Sequence, residues 1–166
     1  MQTAKGKYVK EVVRTMQQIV RSAESHASSH PVPSRTPFAP DSPSSFNSVA
    51  AAAVKAAESS GAKCIIVLTK TGRTARLISS HRPGVPIVCY TGSYKVGRQL
   101  QVHRGCHPVV GLAHLDIKER SPEAVRLSRD VGFLDEGDTF VMVSAEHGEM
   151  GVGGGAAMLA MKVGVA

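Results

Sequence analysis

The stretch CIIVLTKTGRTARLISSHRP, Cys64 to Pro83, places three threonines, a glycine, a lysine and an arginine in the six residues after an apolar run. Cys64–Leu68 reads as a strand buried on both faces, because its apolar residues are continuous rather than alternating. If that strand is central, Thr69–Thr74 lies at its carboxyl end, the edge where open α/β sheets keep their ligands. The first turn of the helix that follows leaves backbone N–H groups unpaired and carries the positive end of the helix dipole. Gly72 permits close backbone approach. Thr69, Thr71 and Thr74 offer hydroxyls, and Lys70 and Arg73 offer charge, so the segment has the makings of a phosphate cradle. The alternative is that Thr71 only caps the helix while the two cations are solvated. Composition leaves these two readings level. GxxxxGK[ST] is absent, so the segment is not a P-loop.

A glycine-rich stretch, EHGEMGVGGG, forms a second candidate ligand element that includes Gly148 and Gly151. It is equally readable as a mobile hairpin between the last two strands. Glu146 and Glu149 would repel a phosphate unless they point away. His147 has no visible partner for general-base work. His26, His30, His81, His103 and His107 lie beside loops or helix ends, where exposure is the usual explanation, and His114 is no more telling. No Ser/His/Asp or Cys/His arrangement and no metal cluster can be named, so catalytic and metal-binding residues are expected to be absent. Cys64, Cys89 and Cys106 are odd in number and form no CxxC pair. The first two sit in apolar runs, where a reduced thiol acts as a small core hydrophobe.

The elements that must hold these residues follow from periodicity. Tyr8 to about Ser25 repeats Val9, Val12, Val13, Met16, Ile19 and Val20 at three- and four-residue steps, an amphipathic helix with a basic outer face. Residues 28–45 are rich in proline and serine and read as a linker. SSFNSVAAAAVKAAESSG is an alanine-rich helix capped by Ser45 or Asn47 and ended by Gly61. Strands and helices then alternate: KCIIVLT, a short helix before Pro83, VPIVCYT, SYKVGRQLQVHRG, HPVVGL, and a helix opening at Ser121 as N-cap with Pro122 in its first position. DTFVMVSA and a last strand in AAMLAMKVGVA close the chain. The expected fold is α/β: a three-layer αβα domain on a mainly parallel five-stranded sheet, its last strand antiparallel. The boundaries are a detached helix at 1–27, a linker at 28–45 and the domain at 46–166.

At 166 residues with 42% hydrophobic and 20% charged residues, the chain has the composition of one globular domain. Its net charge of +7 suits an anionic partner. The cations form no run of five, however, and aromatics are 4%, so stacking platforms are scarce and no nucleic-acid partner is expected. No apolar stretch reaches the roughly 20 residues of a membrane span, and no signal-peptide core precedes the first helix. A reducing, intracellular setting is expected.

KCIIVLTKTGRTARLISSHRPGVPIVCYT closely resembles the C-terminal domain of pyruvate kinases, with its VLT-x-TGRSARL-x-S-x-x-RP-x-x-PI run. GRQLQVHRGCHPVV and GFLDEGDTFVMVS resemble later segments of that domain, and SVAAAAVKAA the helix before its first strand. TAKGKYVKEVVRTMQQIVRSAE looks like the end of the family's catalytic barrel. The resemblance implies a domain that binds a sugar-bisphosphate or other phosphorylated effector and builds a homotetramer. It implies that Thr69, Lys70, Thr71, Gly72, Arg73 and Thr74 grip one effector phosphate, with Thr74 in place of a common serine. Arg120 falls where members often hold an effector-contacting arginine, with Pro122 expected to start the helix later and displace it. AEHGEMGVGGG departs from the family's Trp-Arg-Pro-Gly-Ser-Gly stretch in the second half of that site. The family's active site, with its magnesium and potassium, lies in a barrel of about 250 residues. The resemblance therefore implies a cytoplasmic glycolytic phosphotransferase only when complete, with this chain inert alone and without cofactors of its own. The other function class is a stand-alone phosphate-ligand or protein-binding module that kept the fold without the enzyme.

Overall fold

The computed structural model describes residue 6 and residues 8–29, 45–112, 117–146 and 158–166. The chain divides into two compact units, Met1–Arg35 and Thr36–Ala166. The first is built on helix α1, Val9–Ser29. It extends two residues past the expected boundary at 27, because no proline occurs before residue 31. Its apolar positions line up as the periodicity predicts, yet Val13, Met16, Ile19 and Val20 are all more than half exposed. Residues 30–44 of the expected 28–45 linker lie outside the described residues, and Ser45 begins the next helix.

The second unit begins with α2, Ser45–Ser60. Alanine suits this helix twice over. It has the highest helix propensity, and its small side chain lets Ala50, Ala53 and Ala57 press against the sheet, where they are buried. Gly61 ends the helix at φ +64°, a left-handed conformation that costs glycine little. Strand β1 (Cys64–Leu68), helix α3 (Arg73–Ser80), β2 (Ile87–Thr91), α4 (Tyr94–Leu100), β3 (Cys106–Val110), α5 (Ile117–Asp130), β4 (Thr139–Glu146) and β5 (Met158–Val165) follow.

The sheet order is β3-β2-β1-β4-β5, parallel throughout except for the antiparallel β4–β5 pair. β1 is therefore central, as its unbroken apolar run requires. Ile65 and Val67 point into one core with Ala50, Ala53, Ala75, Ile78 and Leu100, which places α2, α3 and α4 on one face. Cys64 and Ile66 point into the other, with Ala124 of α5, Leu134, Phe140 and Met142. Each fully buried aliphatic side chain is worth about 1.5–3 kcal/mol, so these two cores dominate the stability of the unit.

Two local expectations are corrected. Helix α5 begins at Ile117, four residues before Ser121, and Pro122 lies inside it. The missing proline N–H would have bonded the carbonyl of residue 118, so only one bond near the helix start is lost and the turn survives. Asn47 is not a cap. It lies in the second position after the start of α2, and its Oδ1 is 3.2 Å from Nε2 of His81, which joins α2 to the end of α3. All three cysteines are free and buried, Cys106 included.

Candidate functional site

The strand order reverses about β1, which has β2 on one side and β4 on the other. The carboxyl end of β1 is thus a topological switch point, where a crevice opens between diverging connections. Thr69 leaves the sheet there, its N–H donating to the Tyr90 carbonyl of β2 at 3.0 Å. The chain then turns sharply. The Thr69 hydroxyl oxygen accepts a 2.9 Å bond from the Gly72 N–H, closing the loop Thr69–Gly72 on itself.

Gly72 is the N-cap of α3 at φ +78°, ψ 0°, and no side chain caps the helix. Two facts demand glycine at this point. The backbone is left-handed, and a Cβ would sit 3.1 Å from Val96 Cγ1 and 3.2 Å from Leu100 Cδ2 of α4. With no capping side chain, the first-turn N–H groups of α3 beyond Gly72 are left as donors that suit an anion. The alternative role for Thr71 is overturned: it does not cap α3, and it is exposed. Thr69 instead supplies the hydroxyl that shapes the loop.

The cations flank this turn. Lys70 and Arg73 are exposed, and among the described residues no carboxylate forms an ion pair with either. The Arg73 guanidinium carbon lies 4.7 Å from the centroid of the Phe46 ring, at the start of α2. The sequence reading missed Phe46. Its signal was an isolated aromatic just ahead of an alanine-rich helix in a chain with only four phenylalanines. Thr74, by contrast, is 5% exposed, so its hydroxyl sits beneath the turn rather than at the surface.

Behind the loop, Tyr90 ties strand β2 to helix α5. Ser128 gives its hydroxyl proton to the Ala124 carbonyl at 2.7 Å, so Tyr90 is the donor in the 2.8 Å bond between the two hydroxyls. Burial pushes the Tyr90 phenol above its ordinary value, which keeps it a donor. Arg120 is the fourth residue of α5 and half-buried, in the layer opposite α3. Pro122 does not displace it from the helix. Gly148 and Gly151 lie outside the described residues. The backbone registers Leu68 against Ser144, so β4 leaves the sheet beside Thr69 and β5 returns at Met158 opposite Glu146.

The comparisons with known proteins agree with this geometry. Residues 47–160 match the family described as pyruvate kinase, alpha/beta domain. The chain is 34% identical to pyruvate kinase of Leishmania mexicana over 152 residues, which is 88% of this chain and 30% of that protein. It is 35% identical over 161 residues to pyruvate kinase 1 of Trypanosoma brucei brucei, covering 90% of this chain and 31% of that one. Among solved structures, Cryptosporidium parvum pyruvate kinase in complex with ADP superposes with a TM-score of 0.67 at 28% identity, over 76% of this chain and 24% of that chain. The chain thus spans about 30% of the length of the curated relatives it matches.

Proposed function

The chain belongs to the pyruvate kinase family, as its alpha/beta domain, and on that premise we propose that it is the regulatory and assembly part of a pyruvate kinase. In the complete, cytoplasmic enzyme the reaction would be phosphoryl transfer from phosphoenolpyruvate to ADP, with magnesium and potassium held by a barrel. A (β/α)₈ barrel takes about 250 residues, and the described strands here form one open sheet. Helix α1 is read as the last helix of that barrel. The chain alone should therefore show no metal-dependent turnover of phosphoenolpyruvate, and turnover would favour a different division of labour.

The observation that carries the regulatory reading is the turn Thr69–Gly72 at the switch point. It sets uncapped helix N–H groups beside Lys70 and Arg73, two exposed cations that form no ion pair with a carboxylate among the described residues. These groups would grip one phosphate of a sugar-phosphate effector, with Arg120 and the stretch containing Gly148 and Gly151 completing the site. A charge-assisted hydrogen bond is worth about 1.5–3 kcal/mol, so Arg73→Ala should weaken binding roughly tenfold or more. Calorimetric titration with fructose bisphosphates, a hexose monophosphate and inorganic phosphate on both proteins decides it. Equal binding by the two proteins would reduce the turn to a helix start.

Assembly finds support at the other end of the sheet. β5 is an edge strand, and Met161, Val163 and Val165 expose 42%, 46% and 69% of their surfaces along one of its faces. Such an edge is a template for a second copy.

A further inference from the structure

Between Glu58 and Asp116 the chain carries eight lysines and arginines and no aspartate or glutamate. From Asp116 to Glu149 the balance reverses, with nine carboxylates against four cations. The fold keeps the two stretches apart. Helices α3 and α4 lie in one layer, where Gly72 packs against Val96 and Leu100, whereas α5 covers the opposite face.

Both helices turn their apolar sides inward, α3 through Ala75 and Ile78, α4 through Gly97 and Leu100. Each then sets two cations three residues apart on its exposed side: Arg73 and Arg76, Lys95 and Arg98. Lys70 and Arg82 flank α3 in the chain, and Arg104 follows α4, its Nη1 donating to the Pro83 carbonyl at 3.4 Å. All seven side chains are exposed. Because each helix links neighbouring parallel strands, the two rows run side by side. At 1.5 Å per residue each helical pair spans about 4.5 Å of its axis, and the two pairs lie about 8–10 Å apart across the packed helices. In sequence order the cations never run together, which hides the strip from a linear reading.

Like charges three apart weaken a helix, and solubility alone is served by mixed signs. A strip of one sign is the footprint of an anionic partner. A protein partner would anchor on clustered aromatic or aliphatic side chains. Among the described residues, the large apolar side chains exposed in this layer are Tyr94 and Val102, at opposite ends of α4. One tyrosine is also too little to stack successive bases of a single strand. Arginine predominates, and its planar fork fits phosphate oxygens. A duplex presents one phosphate per 3.4 Å along each strand, so Arg73, Arg76, Lys95 and Arg98 can engage about four of them.

We propose that the exposed face of α3 and α4 docks the phosphate backbone of a double-stranded nucleic acid, without reading bases. It shares Lys70 and Arg73 with the effector reading, so its test is made at Arg76 and Arg98, which lie outside Thr69–Thr74.

Fluorescence anisotropy of a labelled DNA duplex of about 20 base pairs, titrated with the full chain, tests it. Micromolar binding is expected in about 50 mM salt, weakening roughly a hundredfold by about 200 mM, as about four phosphate contacts require. Arg76→Gln combined with Arg98→Gln should lower affinity at least about tenfold and flatten the salt slope by about 2. Lys10→Gln combined with Arg14→Gln on α1 should change neither. Arg76→Lys combined with Arg98→Lys should keep most of the binding, which separates lost charge from lost folding. The proposal fails if wild type does not bind at about 50 mM salt, or if the glutamine pair binds like wild type. Equally tight binding to vesicles containing phosphatidylserine would make the strip a lipid surface and overturn it as well.

Discussion

The guanidinium of Arg73 stacks on the ring of Phe46, 4.7 Å from carbon to centroid, joining the first residue of α3 to the start of α2. The ring occupies the flat face of the guanidinium and leaves its N–H edge for an anion. An exposed pair of this kind is worth about 0.5–1 kcal/mol, so Phe46→Ala should weaken inorganic phosphate binding about two- to fivefold. Phe46→Tyr should restore it. Calorimetry on the three proteins is the check, and an unchanged affinity in Phe46→Ala would show that the ring merely covers the arginine stem.

Gly72→Ala should be among the most damaging single-methyl changes in the domain. It places a side chain at φ +78° and drives its Cβ toward Val96 and Leu100 of α4. A left-handed residue costs roughly 1–2 kcal/mol, and overpacking typically 1–3 kcal/mol more. Urea denaturation should show a loss of about 2 kcal/mol or more with an unchanged slope. A loss below about 0.5 kcal/mol would mean that the α3–α4 contact yields easily.

Alkali should destabilise the domain through its buried acids. Burial, followed by the nearby Asp138 carboxylate, raises the Cys64 thiol from 9.0 to about 12. Tyr90 is raised too, chiefly by burial. In both cases the folded state holds its proton more tightly than the unfolded chain. The stability they contribute is complete below about pH 9 and drains away as pH climbs through 9 toward 12. Urea midpoints measured across that range should fall, and Cys64→Ala should flatten the first part of the decline. A midpoint that is level from pH 9 to 12 would contradict the assignment.

Removing residues 1–44 should leave the second unit folded. Every residue of its two cores lies between Val49 and Ala166, so the expected change in unfolding free energy is under about 0.5 kcal/mol. The same deletion takes away Val13, Met16, Ile19 and Val20, which are more than half exposed, and should reduce concentration-dependent association. Loss of the unfolding transition would show that α1 is integral to the domain.

Much of this architecture was legible in the order of residues. CIIVL reads as a strand buried on both faces because it has no polar alternation, and it is the central strand. The strand–helix alternation likewise yields the parallel sheet. What escaped the linear reading depends on partners distant in the chain. Thr69 rather than Thr71 shapes the turn, since the bond that matters runs back from the Gly72 N–H. Propensity cannot choose between two neighbouring threonines. Pro122 looks like a helix start, yet the turn before it is helical, because one missing bond near an end costs little. Phe46 could not be paired with Arg73 without knowing that α2 and α3 share a layer.

The sheet order also governs when the domain can fold. β1 finds β2 soon after it, but its other neighbour pairs Cys64 with Phe140. During synthesis at about 5–20 residues per second, that side of β1 stays unpaired for roughly 4–15 s after it emerges. An apolar strand with an open edge recruits other chains, and parallel pairing between distant segments is slow. A polypeptide cut short before Thr139 would lack the strand that seals this edge, together with Phe140, Val141, Met142 and Val143 from the two cores. Such a product would be an aggregation-prone half-sheet rather than a smaller domain, and the nascent chain passes through the same exposed state each time it is made.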